Sequence, residues 1–444
     1  MAQNFLSCDR DQVFLLPPDL GEWLPADHLA RFVIETVDQL DLSAVYGYYR
    51  QDGHGRPAHD PAMMVALVLY AYAVGVTSSR EIERCCVVDV AFRVVAGNRR
   101  PDHATIARFL VRHRQALSEL FFEVLALCRR AGMVRVGTVA VDSTKFAANA
   151  SLAQNRTAEG LRQEAARIIE EAIETDRRED ELYGEKRGDE LPEELADPRT
   201  RQARIRELLE QVRRERERVE ADRAQVKARH DEHLARTGKR LAARPPRQTP
   251  SKQQQRLLEQ RKYNVTDPDS RIVRHRGMLI QGYNVQTVVT PEQVILSARI
   301  TDSANDQGQL QPAVEQAAAH LTQIGCQQPI GQVLADSGYW SIRQVSTLQR
   351  EHTRVFVPPI TGNAKTPARL HPVARSMLAT LETDDAKAAY RRRQAIVEPV
   401  FAQVKHNRGI TRLLRRGKAA VQAELDLIAT THNLLRLRTA LQTP

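Results

Sequence analysis

Residues 137–145 read GTVAVDSTK and residues 330–336 read IGQVLAD. Each is a short apolar, β-branched run flanked by glycine and ending in or just after an acid, Asp142 in the first and Asp336 in the second. Runs that stay apolar instead of alternating belong to strands covered on both faces. Two such strands side by side would bring both carboxylates to one edge of a sheet.

The pattern downstream fills in the rest of that sheet. Residues 283–289 and 294–300 read as two further strands, joined at Thr290-Pro291-Glu292-Gln293 into an antiparallel hairpin. A helix is expected from about residue 306 to 324, another after Ser337-Gly338-Tyr339-Trp340, and a last strand at 354–359. The order is strand with Asp142, strand, strand, helix, strand with Asp336, helix, strand, and a helix carrying Glu398. That is the order of an α/β, ribonuclease-H-like domain, a mixed sheet with flanking helices, spanning 133–410 and interrupted after its first strand.

The interruption covers residues 153–262, dense in Arg and Glu and nearly free of aromatics. Leu161, Ala165, Ile168, Ile169 and Ala172 recur at helical spacing, and Ile205, Val212, Val219 and Val226 recur every seven residues. The companion positions begin at Leu209 but continue as Arg216 and Arg223, so the seam is half apolar and predicts a helical hairpin or weak coiled coil. Arg244-Pro245-Pro246-Arg247 breaks it, and Lys252 and Arg256 make the return leg basic. Such charge patterns are ordinarily solvated helix faces, and no catalytic role is assigned to this insertion.

Residues 1–130 read as an all-helical domain. Asp60-Pro61 opens the helix PAMMVALVLYAYAVG, and Ser78 with Glu81 forms a capping box for SREIERCCVVDVAFRVV. After a basic turn at 97–101, Asp102 caps HATIARFLVRHRQALSELFFEVL. Three short-linked helices with Arg108 and Arg112 on the last resemble a helix-turn-helix, which would lay that helix in a DNA major groove. The blander alternative is a helical bundle with a solvated cationic face.

The charge is lopsided. The net charge is +10, and from Lys387 onward there are twelve Lys and Arg against three acids, in a region that ends in a basic helical segment, 411–444. That concentration points to a polyanion, most simply nucleic acid. No run is apolar enough to span a bilayer, and no signal or lipidation pattern stands out, so the expectation is a cytoplasmic protein without membrane contact. Five cysteines without a CxxC argue against a disulfide framework or a zinc site, and Cys85-Cys86 read as small buried apolar groups.

Residues 390–409, YRRRQAIVEPVFAQVKHNRG, place one acid, Glu398, among Arg391, Arg392, Arg393, Lys405, His406 and Arg408. Carboxylates gathered at a sheet edge repel one another unless a cation neutralises them, and hard Mg²⁺ or Mn²⁺ suits oxygen ligands. Two such ions about 4 Å apart can drive in-line displacement at phosphorus, with the neighbouring cations holding the DNA backbone. Either Asp alone is weak, since an acid after a strand often merely caps a turn. The second Asp of an aspartyl phosphatase is missing after Asp142, as are GxxxxGK[ST], HExxH and GxSxG.

Taken together, the motifs resemble those of bacterial insertion-sequence transposases of the DDE type, in the group with a tyrosine–arginine–glutamate–lysine motif. The resemblance is carried by VDSTK (141–145), NVTDPDSR (264–271), QGYNVQ (281–286), ADSGYWS (335–341) and IVEPVFAQVKHNRG (396–409). DPAMMVALVLYAY (60–72) and PDHATIARF (101–109) extend it to the N-terminal region. It implies an enzyme that cuts the ends of its own element and joins them to target DNA, both double-stranded. Asp142, Asp336 and Glu398 would be the catalytic acids and the ligands of two Mg²⁺ or Mn²⁺ ions. A homodimer assembled on DNA and a bacterial, cytoplasmic, nucleoid-associated setting follow from the same resemblance.

Lys405 lies seven residues after Glu398, as that motif asks, whereas Tyr390 and Arg393 each fall one place early. Arg391, Glu398 and Lys405 would share nearly one face of a straight helix, and Pro399 predicts a kink or a helix start at 397–399. Arg391 or Arg393, whichever that break turns inward, would hold phosphate. Two other readings are a transposase-derived DNA-binding protein without catalysis and a structure-specific DNA nuclease using the same site.

Overall fold

The computed structural model describes residues 19–49, 57–167, 198–237, 260–275, 277–351, 353–360 and 370–442. Its internal contacts divide the chain into two units, one made of Met1–Ala147 with Tyr283–Pro444, the other of Ala148–Gly282.

The first unit begins with seven helices: α1 (Leu29–Val37), α2 (Ser43–Tyr46), α3 (Pro61–Ala73), α4 (Ser79–Val88), α5 (Val90–Val95), α6 (His103–Arg112) and α7 (Arg114–Arg130). Asp60 accepts from the Met63 amide at 2.8 Å and Pro61 takes the first helical position, so α3 starts where expected. It is apolar all round because it is surrounded, and Met64 to Ala73 are all buried. Two helices expected to be continuous are each broken. Asp89 ends α4 and restarts the chain as the cap of α5, accepting from the amides of Ala91 and Phe92. His113, buried against Tyr48, Tyr49 and Phe109, separates α6 from α7. The capping box does not form: the Ser78 side chain makes no cap bond, and Glu81 is taken by Arg84. Asp102 does cap α6, through the Thr105 amide at 2.8 Å.

Strand β1 (Thr138–Ala147) then enters the sheet. The second unit follows, with β2 (Asn155–Thr157), α8 (158–167), α9 (Pro198–Thr237), β3 (Lys262–Asn264) and β4 (Arg271–His275). β2 and β3 pair antiparallel. Ala158 and Leu161 of α8, Ile205, Leu208 and Val212 of α9, and Tyr263 and Val265 form its core. The heptad series is thus buried only at its start: Val226 is 42% exposed, and the helix beyond is a charged rod. The rest of the apolar stretch at 168–172 and the basic return leg at 244–256 lie outside the described residues.

The chain returns through β5 (Met278–Val289), whose first residues pair with β4, and β6 (Ile295–Thr301), antiparallel to the remainder of β5 as the hairpin pattern predicts. Next come α10 (Leu310–Gln323), β7 (Gln332–Leu334), α11 (Ile342–Arg350), β8 (Arg354–Phe356), α12 (Pro372–Leu381), α13 (Asp384–Ala402) and α14 (Lys418–Gln442). In the first unit the strands run in the order β6-β5-β1-β7-β8, with β1, β7 and β8 mutually parallel. The sheet is mixed and the architecture α/β.

α14 lies along α7, α3 and β6. Its Asn433 side chain brackets Ile295, accepting from the amide at 2.8 Å and donating to the carbonyl at 2.9 Å, while Gln422 does the same for Ile300 and Ala298. These amides stand in for a missing neighbour along the open edge of β6. The basic character of the C-terminal region is partly absorbed within the fold: Arg408 is buried, Lys418 pairs with Asp302, and Arg436 and Arg438 donate to the carbonyls of Glu292 and Asp27. Cys85, Cys86, Cys128 and Cys326 are free, buried thiols; Cys8 lies outside the described residues.

Candidate active site

The register of β1 against β7 pairs Thr138 with Gln332 and Ala140 with Leu334. Carried two residues further, it sets Asp142 beside Asp336; β7 has ended by then, whereas β1 runs on to Ala147, so Asp142 lies midway along its strand instead of at the end. The sequence pattern predicts this meeting, and the acids interact: burial raises the Asp142 carboxyl above its ordinary range, and the Asp336 carboxylate adds to the rise. Two groups pull the other way without cancelling it, the Ser143 amide at 2.7 Å and the Arg393 guanidinium at 3.0 Å. Asp336 caps the short 3₁₀ turn Ser337–Tyr339, accepting from the Gly338 amide at 2.9 Å.

α13 packs across β1 and β7 and supplies Arg393 and Tyr390. Arg393 is the arginine turned inward, its guanidinium also 5.9 Å from the Tyr390 ring centroid; Arg391 is exposed. No helix begins at 397–399. α13 runs through Pro399 to Ala402 and passes into a π turn, Gln403–Asn407, closed by the Arg408 amide on the Gln403 carbonyl at 3.1 Å. The extra residue in that turn moves Lys405 off the common face expected with Arg391 and Glu398. Lys405 instead donates to the Lys145 carbonyl at 2.6 Å and lies 4.6 Å from the centre of the Phe146 ring.

Glu398 does not join the two aspartates. It sits on the exposed side of α13, away from the face made by Ala389, Ile396, Val397 and Val400. Among the described residues, no three acid, histidine or cysteine side chains converge as a metal-ligand set. The pair Asp142 and Asp336 fits one hard cation, since the Asp336 carboxylate opposes the ionisation of Asp142 and a cation would relieve it. The donor set for a second ion, with Glu398 in it, is not assembled here.

Sequence reasoning overlooked Asp306, in the loop between β6 and α10. This carboxylate takes hydrogen bonds from Asn284 at 3.0 Å and Gln286 at 2.9 Å, and pairs with Lys145 at 3.3 Å. Burial opposes its ionisation, yet those partners and Ser143 hold it below the usual carboxylate range. A clue was available: QGYNVQ places two amides, Asn284 and Gln286, on one face of an otherwise buried strand, where polar groups need partners. Arg108 and Arg112 are exposed on α6, Arg108 bonded to Thr105 and Arg112 against the Tyr48 ring.

Two comparisons bear on this arrangement. A transposase domain matches residues 18–112, which include Arg108 and Arg112, and a transposase DDE domain matches residues 361–438, which include Glu398 and Lys405. No curated protein and no solved structure matches the chain. No helix among the described residues is long and apolar enough to cross a membrane.

Proposed function

From the premise that these two domains place the chain among insertion-sequence transposases of the DDE type, we propose that it binds the double-stranded ends of an insertion element, cuts them and joins them to target DNA. One observation carries this reading: the register of adjacent parallel strands sets Asp142 beside Asp336, with Arg393 reaching Asp142 from the helix that bears Glu398. The strand order β6-β5-β1-β7-β8 supports a ribonuclease-H-like catalytic domain over 133–410.

In this mechanism Asp142 and Asp336 would hold a hard divalent ion, Mg²⁺ or Mn²⁺, and Glu398 would complete the acid set for a second only once bound DNA brings it to them. Bound there, such ions supply Lewis acidity for in-line displacement at phosphorus. The chain's own groups do the rest. Arg393 exchanges its bond to Asp142 for one to a DNA phosphate, to which a planar fork is well matched. Tyr390 backs that guanidinium, Lys405 steadies the end of β1, and exposed Arg391 meets the DNA backbone. Arg108 and Arg112 contact DNA from the helical region 1–130. The bound duplex is held by a homodimer in the bacterial cytoplasm.

The test is cleavage and strand transfer of element-end DNA with Mg²⁺, wild type against Asp336→Ala. Loss of both reactions in the variant supports the proposal. Activity unchanged in the variant removes Asp336 from the site, and wild type that binds the ends without cutting them favours a DNA-binding role, the reading to which exposed Glu398 lends weight.

A further inference from the structure

Lys145 stands three residues after Asp142 on β1, with its ammonium largely enclosed. Its three N–H groups have three acceptors: Ser143 Oγ at 3.1 Å, Asn284 Oδ1 at 2.7 Å and Asp306 Oδ1 at 3.3 Å. An ammonium so engaged has no donor left for a phosphate. Its charge serves the inside of the molecule.

Asp306 is the hub of this arrangement. The same Oδ1 that meets Lys145 accepts from Asn284 and Gln286 on β5. Gln286 in turn accepts the hydroxyl of Tyr339, a fully buried residue in the turn that follows Asp336. The bonds therefore begin beside Asp142 and end beside Asp336. Both carboxylates also border one stretch of backbone: a Cβ placed on Gly338 would lie 3.0 Å from Asp336 Oδ1 and 3.8 Å from Asp306 Oδ2.

We propose that Asp306 is a positioning residue, fixing the end of β1 through Lys145 and the Asp336 turn through Gln286 and Tyr339, and so setting the two acids relative to each other. What those acids do rests on the function proposed above; the clamp itself does not. A network of this kind matters because its members share one geometry, so loss of any member loosens both ends together.

The experiment compares wild type, Asp306→Asn, Lys145→Met and the double variant. Single-turnover cleavage of element-end DNA with Mg²⁺ is measured beside DNA affinity, and amide hydrogen exchange is followed in the free proteins. Asp306→Asn keeps the side chain's size and removes its charge. Expected is a cleavage rate lower by on the order of 10–100-fold, as small misplacements of reacting groups cost, with DNA affinity unchanged. The double variant should be no slower than the slower single one. Exchange should rise at residues 142–146 and 336–340 and not across the helical region. Cleavage by Asp306→Asn at the wild-type rate, losses that multiply in the double variant, a parallel loss of DNA affinity, or a variant that unfolds as a whole would each overturn the inference. Wild type that cuts nothing would overturn the proposed function alone, and the exchange measurement would still decide the clamp.

Discussion

The guanidinium of Arg393 donates to the carboxylate of Asp142 at 3.0 Å, linking residues 251 positions apart in the chain. The side chains are 12% and 20% exposed, so the pair is shielded from most of the solvent screening that weakens surface ion pairs. In this state a cation from the helix of Glu398 balances one of the two acids.

Arg393→Ala should move the Asp142 carboxyl further up, because the guanidinium is one of the groups opposing burial there. An acid whose folded pKa lies above its unfolded value costs the fold stability once it is ionised. The loss sets in as pH rises from the unfolded value, 3.8, through the folded one. The variant should therefore be destabilised at neutral pH by about 1–3 kcal/mol, the range for leaving a buried polar group unpaired, and by less in acid. Carbon-13 NMR titration of Asp142 with urea unfolding at two pH values checks this; a downward shift would refute it.

Glu398→Gln should leave the stability of the free protein within about 0.5 kcal/mol of wild type, since an exposed residue with no structural partner among the described residues rarely does more. The same change should abolish cleavage if DNA brings Glu398 to the aspartates. A large loss in urea stability would mean that the side chain already has a structural task.

Gly75 adopts φ +87°, and a Cβ there would lie 2.1 Å from the Arg408 carbonyl oxygen. Gly132 adopts φ +73° with nothing within 4 Å of the same position. Gly132→Ala should cost about 1–2 kcal/mol, the penalty of a left-handed L-residue. Gly75→Ala should cost more than about 4 kcal/mol, because backbone must also move. Equal losses in urea midpoint would show that the close approach of Arg408 does not matter.

His432 is fully buried, and burial first, then the Arg408 charge, lowers its pKa from 6.5 to about 3. A base held neutral in the fold gives its proton site to the unfolded chain, so stability is full above pH 6.5 and falls as pH drops toward 3. Its Nε2 lies 2.8 Å from the Gln293 carbonyl, which requires the proton there; Nδ1 lies 3.1 Å from Gln403 Oε1, and turning that side-chain amide over presents its NH2 to the neutral ring. His432→Gln should flatten this acid loss relative to wild type. The comparison with wild type is essential, because burial lifts Asp426 to about 6 and tilts the curve the other way. Urea midpoints from pH 7 to 4 that stay parallel would contradict the assignment.

The strands and their acids were legible because a strand covered on both faces leaves an unbroken apolar run, and a register is simple arithmetic once two such runs pair. The cap of α3 and the β5–β6 hairpin were legible for similar local reasons. The interruptions at Asp89 and His113 were not: Asp89 caps the amides just after it inside an otherwise helical pattern, and His113 depends on the rings of Tyr48 and Tyr49 that it finds across the fold. Arg393 and Glu398 lie five residues, about 140°, apart on one regular helix, so the face that turns the first inward turns the second out; the place of Lys405 depends on a π turn that helical spacing cannot anticipate. Asp306 was missed for a different reason: the amides of QGYNVQ ask for a partner, but nothing local names it, since Asp306 lies 161 residues from Lys145 and 22 from Asn284.

A π turn is what remains when one residue is inserted into an α-helix. In Gln403–Asn407 the insertion keeps Lys405 over Phe146 and lets buried Arg408 reach Thr431 at 2.7 Å and the Tyr72 carbonyl at 3.3 Å. Deleting one residue from that turn would restore the regular helical phase and rotate everything after it by about 100°. Over these five positions the molecule depends on the count of residues as much as on their identity, so related chains should vary there in side chains before they vary in length.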